Sequence, residues 1–120
     1  MGTEEERLGV GIRGAGQVAV EHAAVIEANP HLYLAAVSSR RRESAEQLTA
    51  RFAPKAAVHD SYEALLDDPS VDIVSVCMPN YLHAREAILA LEAGKHLILE
   101  KPPAITWEEL HDLRSAEEKA

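Results

Sequence analysis

Short apolar runs alternate with stretches of helical spacing along this chain, and few folds accommodate that order. Leu8 to Arg13 is apolar and ends at a glycine, as a buried strand does, and Gln17 to Ala28 has helical spacing and stops at Asn29-Pro30. Leu32 to Ser38 reads as a second strand, and Glu43 to Phe52 as a second helix with Ala45, Leu48 and Phe52 on one face. Ala56 to His59 is a brief third strand. A short helix follows between Asp60 and Pro69, opened by Asp60 and Glu63 at the spacing of a capping box. Val71 to Pro79 is a fourth strand, apolar on both alternating sets, as expected where both faces are covered. Asn80 is placed to cap a helix that runs to Ala93, and Gly94 supplies its left-handed stop. Lys95 to Glu100 is a fifth strand, and Thr106 with Glu109 forms a second capping box at the start of the last helix.

Strands and helices alternating at these lengths predict parallel crossovers, hence an α/β fold: a three-layer, doubly wound parallel sheet of the Rossmann type, with about five strands and helices on both faces. Ligands of such sheets bind beyond the carboxyl ends of the strands. Chemistry is therefore expected after Arg13, Val37, Cys77 and Leu99.

With 120 residues there is one packed core, and 47% hydrophobic with 27% charged residues is a globular balance. A formal net charge of -8 argues against nucleic acid or an anionic membrane as partner, because phosphate-rich surfaces attract basic patches. Any phosphate must be held by local groups. The only cysteine, Cys77, lies in an apolar run; with no disulfide framework, a cytoplasmic setting is expected, and Cys77 reads as core rather than nucleophile. Residues 1–7 form an acidic tail without the apolar segment of a signal peptide, and no run approaches a membrane span. The six histidines are scattered without paired ligand spacing, so no metal site is expected.

After the first strand come Gly14-Ala15-Gly16-Gln17-Val18-Ala19, the spacing G-x-G-x-x-A of a dinucleotide fingerprint. Gly14 serves the tight turn, Gly16 the close approach of a pyrophosphate, and Ala19 the packing of the helix, whose free amides and positive end favour phosphate. A purely structural turn explains the glycines less well, because they lie inside a strand–helix–strand unit, the context the motif requires. Arg13, where an apolar residue is usual, either leans toward a phosphate or lies exposed at the strand end.

An NAD site generally carries Asp or Glu about 20 residues further on, at the end of the second strand. Here Ser39 stands there, followed by Arg40, Arg41 and Arg42. A carboxylate repels a 2′-phosphate, whereas a hydroxyl and guanidinium groups hold one, so NADP is the expected cofactor and NAD the alternative. At the end of the fourth strand, Met78, Pro79, Asn80 and His83 are candidates to line the cofactor, although Asn80 reads equally as a cap and His83 as a helix-surface residue. At the end of the fifth, Glu100 and Lys101 precede Pro102 and Pro103. Glu100 and Lys101 are candidates to line the cofactor, the lysine pointing to where a nicotinamide lies in this fold and its neighbour expected on the opposite face, although a charged strand end followed by a turn accounts for them as well.

The stretches GAGQVAVEHA, AAVSSRRRESAEQLTARF and CMPNYLHAREAILALEAGKHLILEKPPAIT, in this order, resemble the nucleotide-binding half of the Gfo/Idh/MocA family of NAD(P)-dependent oxidoreductases. The likeness runs from Leu8 to the last helix, and its most specific element is the Glu-Lys-Pro run. It implies that residues 8–120 form an NAD(P)-binding domain in which Gly14, Gly16, Gln17 and Val18 line the pyrophosphate and Ser39 and Arg40 take the adenosine phosphate end. It further implies that Asn80 and His83 lie beside the cofactor ribose and that Lys101 contacts substrate and nicotinamide as an aid to proton transfer. The implied reaction is hydride transfer between the nicotinamide and a sugar or polyol-like alcohol or ketone. Family members continue into a second, substrate-binding domain that also forms the oligomer interface. A homo-oligomer is left open, and the 120 residues alone are expected to bind NADP weakly and not to turn over. The alternative from another class is a non-catalytic NAD(P)-binding or sensing module serving a partner subunit.

Overall fold

The computed structural model describes residues 7–100 and 104–120. It contains β1 (Leu8–Arg13), α1 (Gln17–Ala28), β2 (Leu32–Ser38), α2 (Arg42–Phe52), β3 (Ala57–His59), α3 (Tyr62–Leu66), β4 (Ile73–Val76), a 3-10 turn (Asn80–Leu82), α4 (His83–Glu92), β5 (His96–Leu99) and α5 (Trp107–Lys119). The strands form one parallel sheet in the order β3-β2-β1-β4-β5. Chain order reverses at β1, so the crevice between the loops after β1, β2 and β4 lies at the switch point of the sheet.

The doubly wound arrangement follows from where apolar side chains go. Val10, Ile12, Leu34 and Val37 pack with Ala19, Ala23 and Ile26 of α1 and Ala45 and Leu48 of α2. Val74 and Val76 pack instead with Tyr62 and Leu65 of α3 and Ala90 of α4. The sheet thus has a helical layer on each face, and β1 and β4 are buried on both sides. Its small residues matter here: Ala19, Ala23, Ala87 and Ala90 are fully buried, which lets the helix backbones sit close to the strands. Strand register brings Arg13, Ser38, Val76 and Leu99 to one level, so the carboxyl ends of four strands open onto the same rim. Among the described residues β5 is an edge strand, with Ile98 38% exposed.

Two expected helix starts are corrected. Asp60 does not cap α3; Ser61 does, accepting a bond from the Ala64 amide at 3.0 Å. Burial of Tyr62 starts the helix one residue later than the box requires, and the outward-facing Asp60 carboxylate takes Arg42 at 2.6 Å. Asn80 does not cap α4 with its side chain; it opens the 3-10 turn, closed by the Leu82 amide on the Pro79 carbonyl at 2.9 Å. That tighter turn satisfies amides a cap would otherwise serve. The second capping box forms as expected, with Glu109 and Thr106 exchanging side-chain to backbone bonds at 3.1 Å. Gly94 ends the α4 region at φ 78°. No helix among the described residues is long and apolar enough to cross a membrane.

Candidate functional site

The rim carries an open groove of about 390 Å³ lined by Gly14, Ala15, Gly16, Gln17, Val18, Ser39, Arg40, Arg41, Ser44, Cys77, Met78 and Pro79. It gathers the ends of β1, β2 and β4, far apart in sequence, around the start of α1. The two fingerprint glycines do different work. Gly14 has φ 112°, donates its amide to the Ser38 carbonyl at 2.7 Å, and a Cβ there would lie 2.4 Å from the Cys77 carbonyl oxygen. It is a packing position as much as a turn. Gly16 is at φ -85°, and a Cβ there would meet nothing within 4 Å among the described residues beyond its chain neighbours. Space is left open in front of the helix.

The start of α1 has no side-chain cap and no acidic residue in its first turn. Its first amides therefore have neither an intrahelical carbonyl nor a carboxylate to answer them, and they face the groove with the positive end of the helix dipole. Behind them Ala19 is fully buried, holding the helix against the sheet. An anion is the ligand this arrangement answers.

Beyond β2 the three arginines take separate paths. Arg41 donates to Glu43 at 2.7 Å and Arg42 to Asp60 at 2.6 Å, both carboxylates. Arg40 donates instead to the neutral hydroxyl of Tyr81 at 2.9 Å. Ser39 is buried and gives its one hydroxyl proton to the Arg41 carbonyl. The serine therefore shapes the loop from inside, and on the groove wall the guanidinium of Arg40 is a cation with no carboxylate partner among the described residues.

Arg13 does not lie exposed at the strand end. Its guanidinium lies 3.3 Å from the Glu86 carboxylate, 3.4 Å from the Ser38 hydroxyl and 5.0 Å over the Tyr62 ring, with the side chain only 14% exposed. It forms part of an adjoining hollow of about 480 Å³, which shares Arg40 and Met78 with the groove and has Leu66, Leu82 and Leu89 on its walls. The Tyr62 hydroxyl donates to the Glu86 carbonyl at 2.6 Å, and burial first, then the Glu86 charge, pushes that phenol up from its ordinary pKa.

Three other sequence candidates lie apart from the groove lining. His83 is 2% exposed, so the helix-surface reading is corrected: because α4 starts only at His83, its ring turns inward and Nε2 lies 2.8 Å from the Met78 carbonyl. It fixes the backbone that forms the groove wall. Asn80 is exposed on the 3-10 turn. Glu100 places its carboxylate 2.6 Å from His22 Nε2, while His22 Nδ1 lies 2.5 Å from Ser75 Oγ. Lys101 lies outside the described residues.

Nothing in the local sequence around His22 or Tyr81 marks either residue, because their partners lie 41 to 78 residues along the chain. Cys77 gains spatial neighbours too, His22 Nδ1 and Ser75 Oγ, each 3.6 Å away. Burial pushes the thiol up to about 11, with the Glu100 charge adding to the rise against the Ser75 hydrogen bond. Cys77 is accordingly protonated at neutral pH, and a disulfide-exchange reagent at pH 7.5 should label it about 10- to 100-fold more slowly than a free thiol. The raised value has a sign: the stability it contributes is complete below the unfolded thiol pKa and is lost as pH climbs through about 11. Labelling as fast as in the unfolded chain would contradict this burial.

A family model described as an oxidoreductase family with an NAD-binding Rossmann fold matches residues 8–120. This chain belongs to the Gfo/Idh/MocA family. Among relatives, it is 41% identical over 107 residues to the D-glucoside 3-dehydrogenase of Escherichia coli, covering 88% of this chain and 30% of that enzyme. A crystal structure of a 3-ketoreductase from Actinomadura kijaniata, in complex with NADP and TDP-benzene, superposes with a TM-score of 0.87 at 32% identity, over 94% of this chain and 34% of that one. The myo-inositol dehydrogenase of Lactobacillus casei, in complex with NAD(H) and myo-inositol, superposes with a TM-score of 0.90 at 27% identity, over 95% of this chain and 34% of that one. The chain thus spans about a third of the length of these Gfo/Idh/MocA proteins.

Proposed function

We propose that this chain is the cofactor-binding part of an NAD(P)-dependent oxidoreductase of the Gfo/Idh/MocA family, holding NADP in the groove and NAD less tightly. The observation that carries it is the open space at Gly16 in front of uncapped α1 amides, with no carboxylate in the first turn to compete for them. A diphosphate fits there, against Gly14, Gly16, Gln17 and Val18. The adjoining hollow, apolar at Leu66, Met78, Leu82 and Leu89, suits an adenine ring. Where an NAD site would place a carboxylate for the ribose, this chain has the uncharged Ser39, and the neighbouring Arg40 guanidinium attracts a 2′-phosphate that an acid would repel.

When bound, the nicotinamide supplies or accepts the hydride. The protein's part is to orient it, and the family pattern implies that Lys101, two residues past β5 in the sequence, acts near the reacting carbon. Glu100, the residue before it, is held to α1 through His22. The proposed substrate class is a sugar or polyol, consistent with the substrates named for the relatives. Its one cysteine, free of any disulfide, suits a cytoplasmic setting.

The assignment is tested by dissociation constants for NADP+ and NAD+ from fluorescence or calorimetry. Arg40→Ala is expected to weaken NADP+ by about 10- to 100-fold and NAD+ by less than about twofold, the scale of one charge-assisted contact to phosphate. Equal losses for both nucleotides would remove Arg40 from the 2′-phosphate.

A further inference from the structure

The contact between Arg40, on the groove wall, and Tyr81 is one that the cofactor reading leaves unexplained. Arg40 follows β2 and Tyr81 follows β4, the two strands that flank β1, so the contact joins the loops on either side of the glycine turn. The two neighbouring arginines show what is unusual about it. A carboxylate that accepts from a guanidinium also cancels its charge, as Glu43 does for Arg41 and Asp60 for Arg42. A phenol oxygen accepts the same bond and leaves the charge intact.

Tyr81 stands on a firm base. The 3-10 turn that carries it is closed by the Leu82 amide on the Pro79 carbonyl at 2.9 Å, and beneath it the buried His83 lies 2.8 Å from the Met78 carbonyl. Pro79 restricts the backbone further. Arginine carries a large rotamer entropy, which a ligand must otherwise remove on binding; a tether to a rigid neighbour removes part of it beforehand. Only one of the five guanidinium N–H groups is used on the hydroxyl, and the rest remain for an anion.

Resting on the cofactor reading above, we propose that Tyr81 is a specificity-determining positioning residue: its hydroxyl presents Arg40 to the 2′-phosphate, so preference for NADP over NAD depends on the Arg40–Tyr81 pair. The ring itself, 55% exposed, is free to pack on the adenosine, a contribution common to both nucleotides. Removing only the hydroxyl separates the two effects.

The test uses the full chain and four probes: NADP+, NAD+, 2′,5′-ADP and 5′-ADP. Tyr81→Phe is expected to weaken NADP+ and 2′,5′-ADP by about 3- to 10-fold while NAD+ and 5′-ADP stay within about 1.5-fold, the loss expected for one hydrogen bond. In an Arg40→Ala background the same change should have no further effect, because the hydroxyl acts only through the guanidinium. A thermal melt checks that Tyr81→Phe is folded, and its exposed position predicts no shift. An unmoved NADP-to-NAD ratio, an equal loss for all four probes, or a loss that persists without Arg40 would overturn the inference while leaving the cofactor reading in place. A parent protein with no preference for the 2′-phosphorylated probes would overturn the cofactor reading, and the inference with it.

Discussion

Gly16→Ala should bind NADP+ about 30- to 100-fold more weakly than the parent while melting within about 4 °C of it, and Gly14→Ala should do the reverse, costing stability rather than affinity. At Gly16 the backbone is at φ -85°, ordinary for alanine, and the added methyl meets no other described residue within 4 Å beyond its immediate chain neighbours. The only thing it obstructs is whatever approaches the α1 amides. At Gly14 the backbone is at φ 112° and the methyl would be driven to 2.4 Å from the Cys77 carbonyl. The left-handed penalty alone is about 1–2 kcal/mol. With the clash, a loss of about 3–5 kcal/mol is expected, or roughly 12–20 °C in Tm for a domain of this size. Calorimetric scanning and nucleotide titration of both variants check the contrast. Undiminished NADP+ affinity in Gly16→Ala would mean that the diphosphate does not lie there.

The second large effect concerns Arg13 and Glu86. Their side chains are 14% and 8% exposed, so this is an ion pair shielded from water rather than a surface contact. Glu86→Leu leaves a buried guanidinium with, among the described residues, the Ser38 hydroxyl and the Tyr62 ring as its remaining partners. Breaking such a pair costs about 3–5 kcal/mol, whereas replacing both members with apolar side chains is often neutral. Urea denaturation should therefore show Glu86→Leu destabilised by about that amount and the double variant Arg13→Leu, Glu86→Leu restored to within about 1–2 kcal/mol of the parent. A single-variant loss below about 1 kcal/mol would put the pair in the class of exposed bridges.

These two cases mark how far the sequence could be read. The order of strands and helices was legible because apolar periodicity is a local property, and β1, α1 and β2 fall at the expected residues. The groove was legible for a related reason: parallel strands carry their ends to one rim, so Gly14, Gly16, Ser39, Arg40 and Met78 had to meet there. Environments set by distant partners were not. Arg13 answers to Glu86, 73 residues away, and His22 to Glu100, 78 residues away, and no window of the sequence contains either pair. Small shifts in a helix start misled in the same way. Starting α4 at His83 rather than after an Asn80 cap turns the imidazole from solvent into the core. Ser39 shows a third limit, since a hydroxyl suited to phosphate is spent on the neighbouring Arg41 carbonyl.

The pairing of Arg41 and Arg42 with carboxylates has a kinetic side. A chain of net charge -8 repels a polyanionic nucleotide at long range, and two of the three adjacent cations that might offset this are neutralised by partners within 3 Å. With a screening length of about 10 Å in ordinary buffer, what is left of the attraction is felt only at docking distance. Added salt therefore acts in opposite directions on the two halves of the event, easing the approach while loosening the grip. On the proposed cofactor reading, selection between NADP and NAD is expected to show in the dissociation rate rather than the association rate, which stopped-flow measurement of both would check.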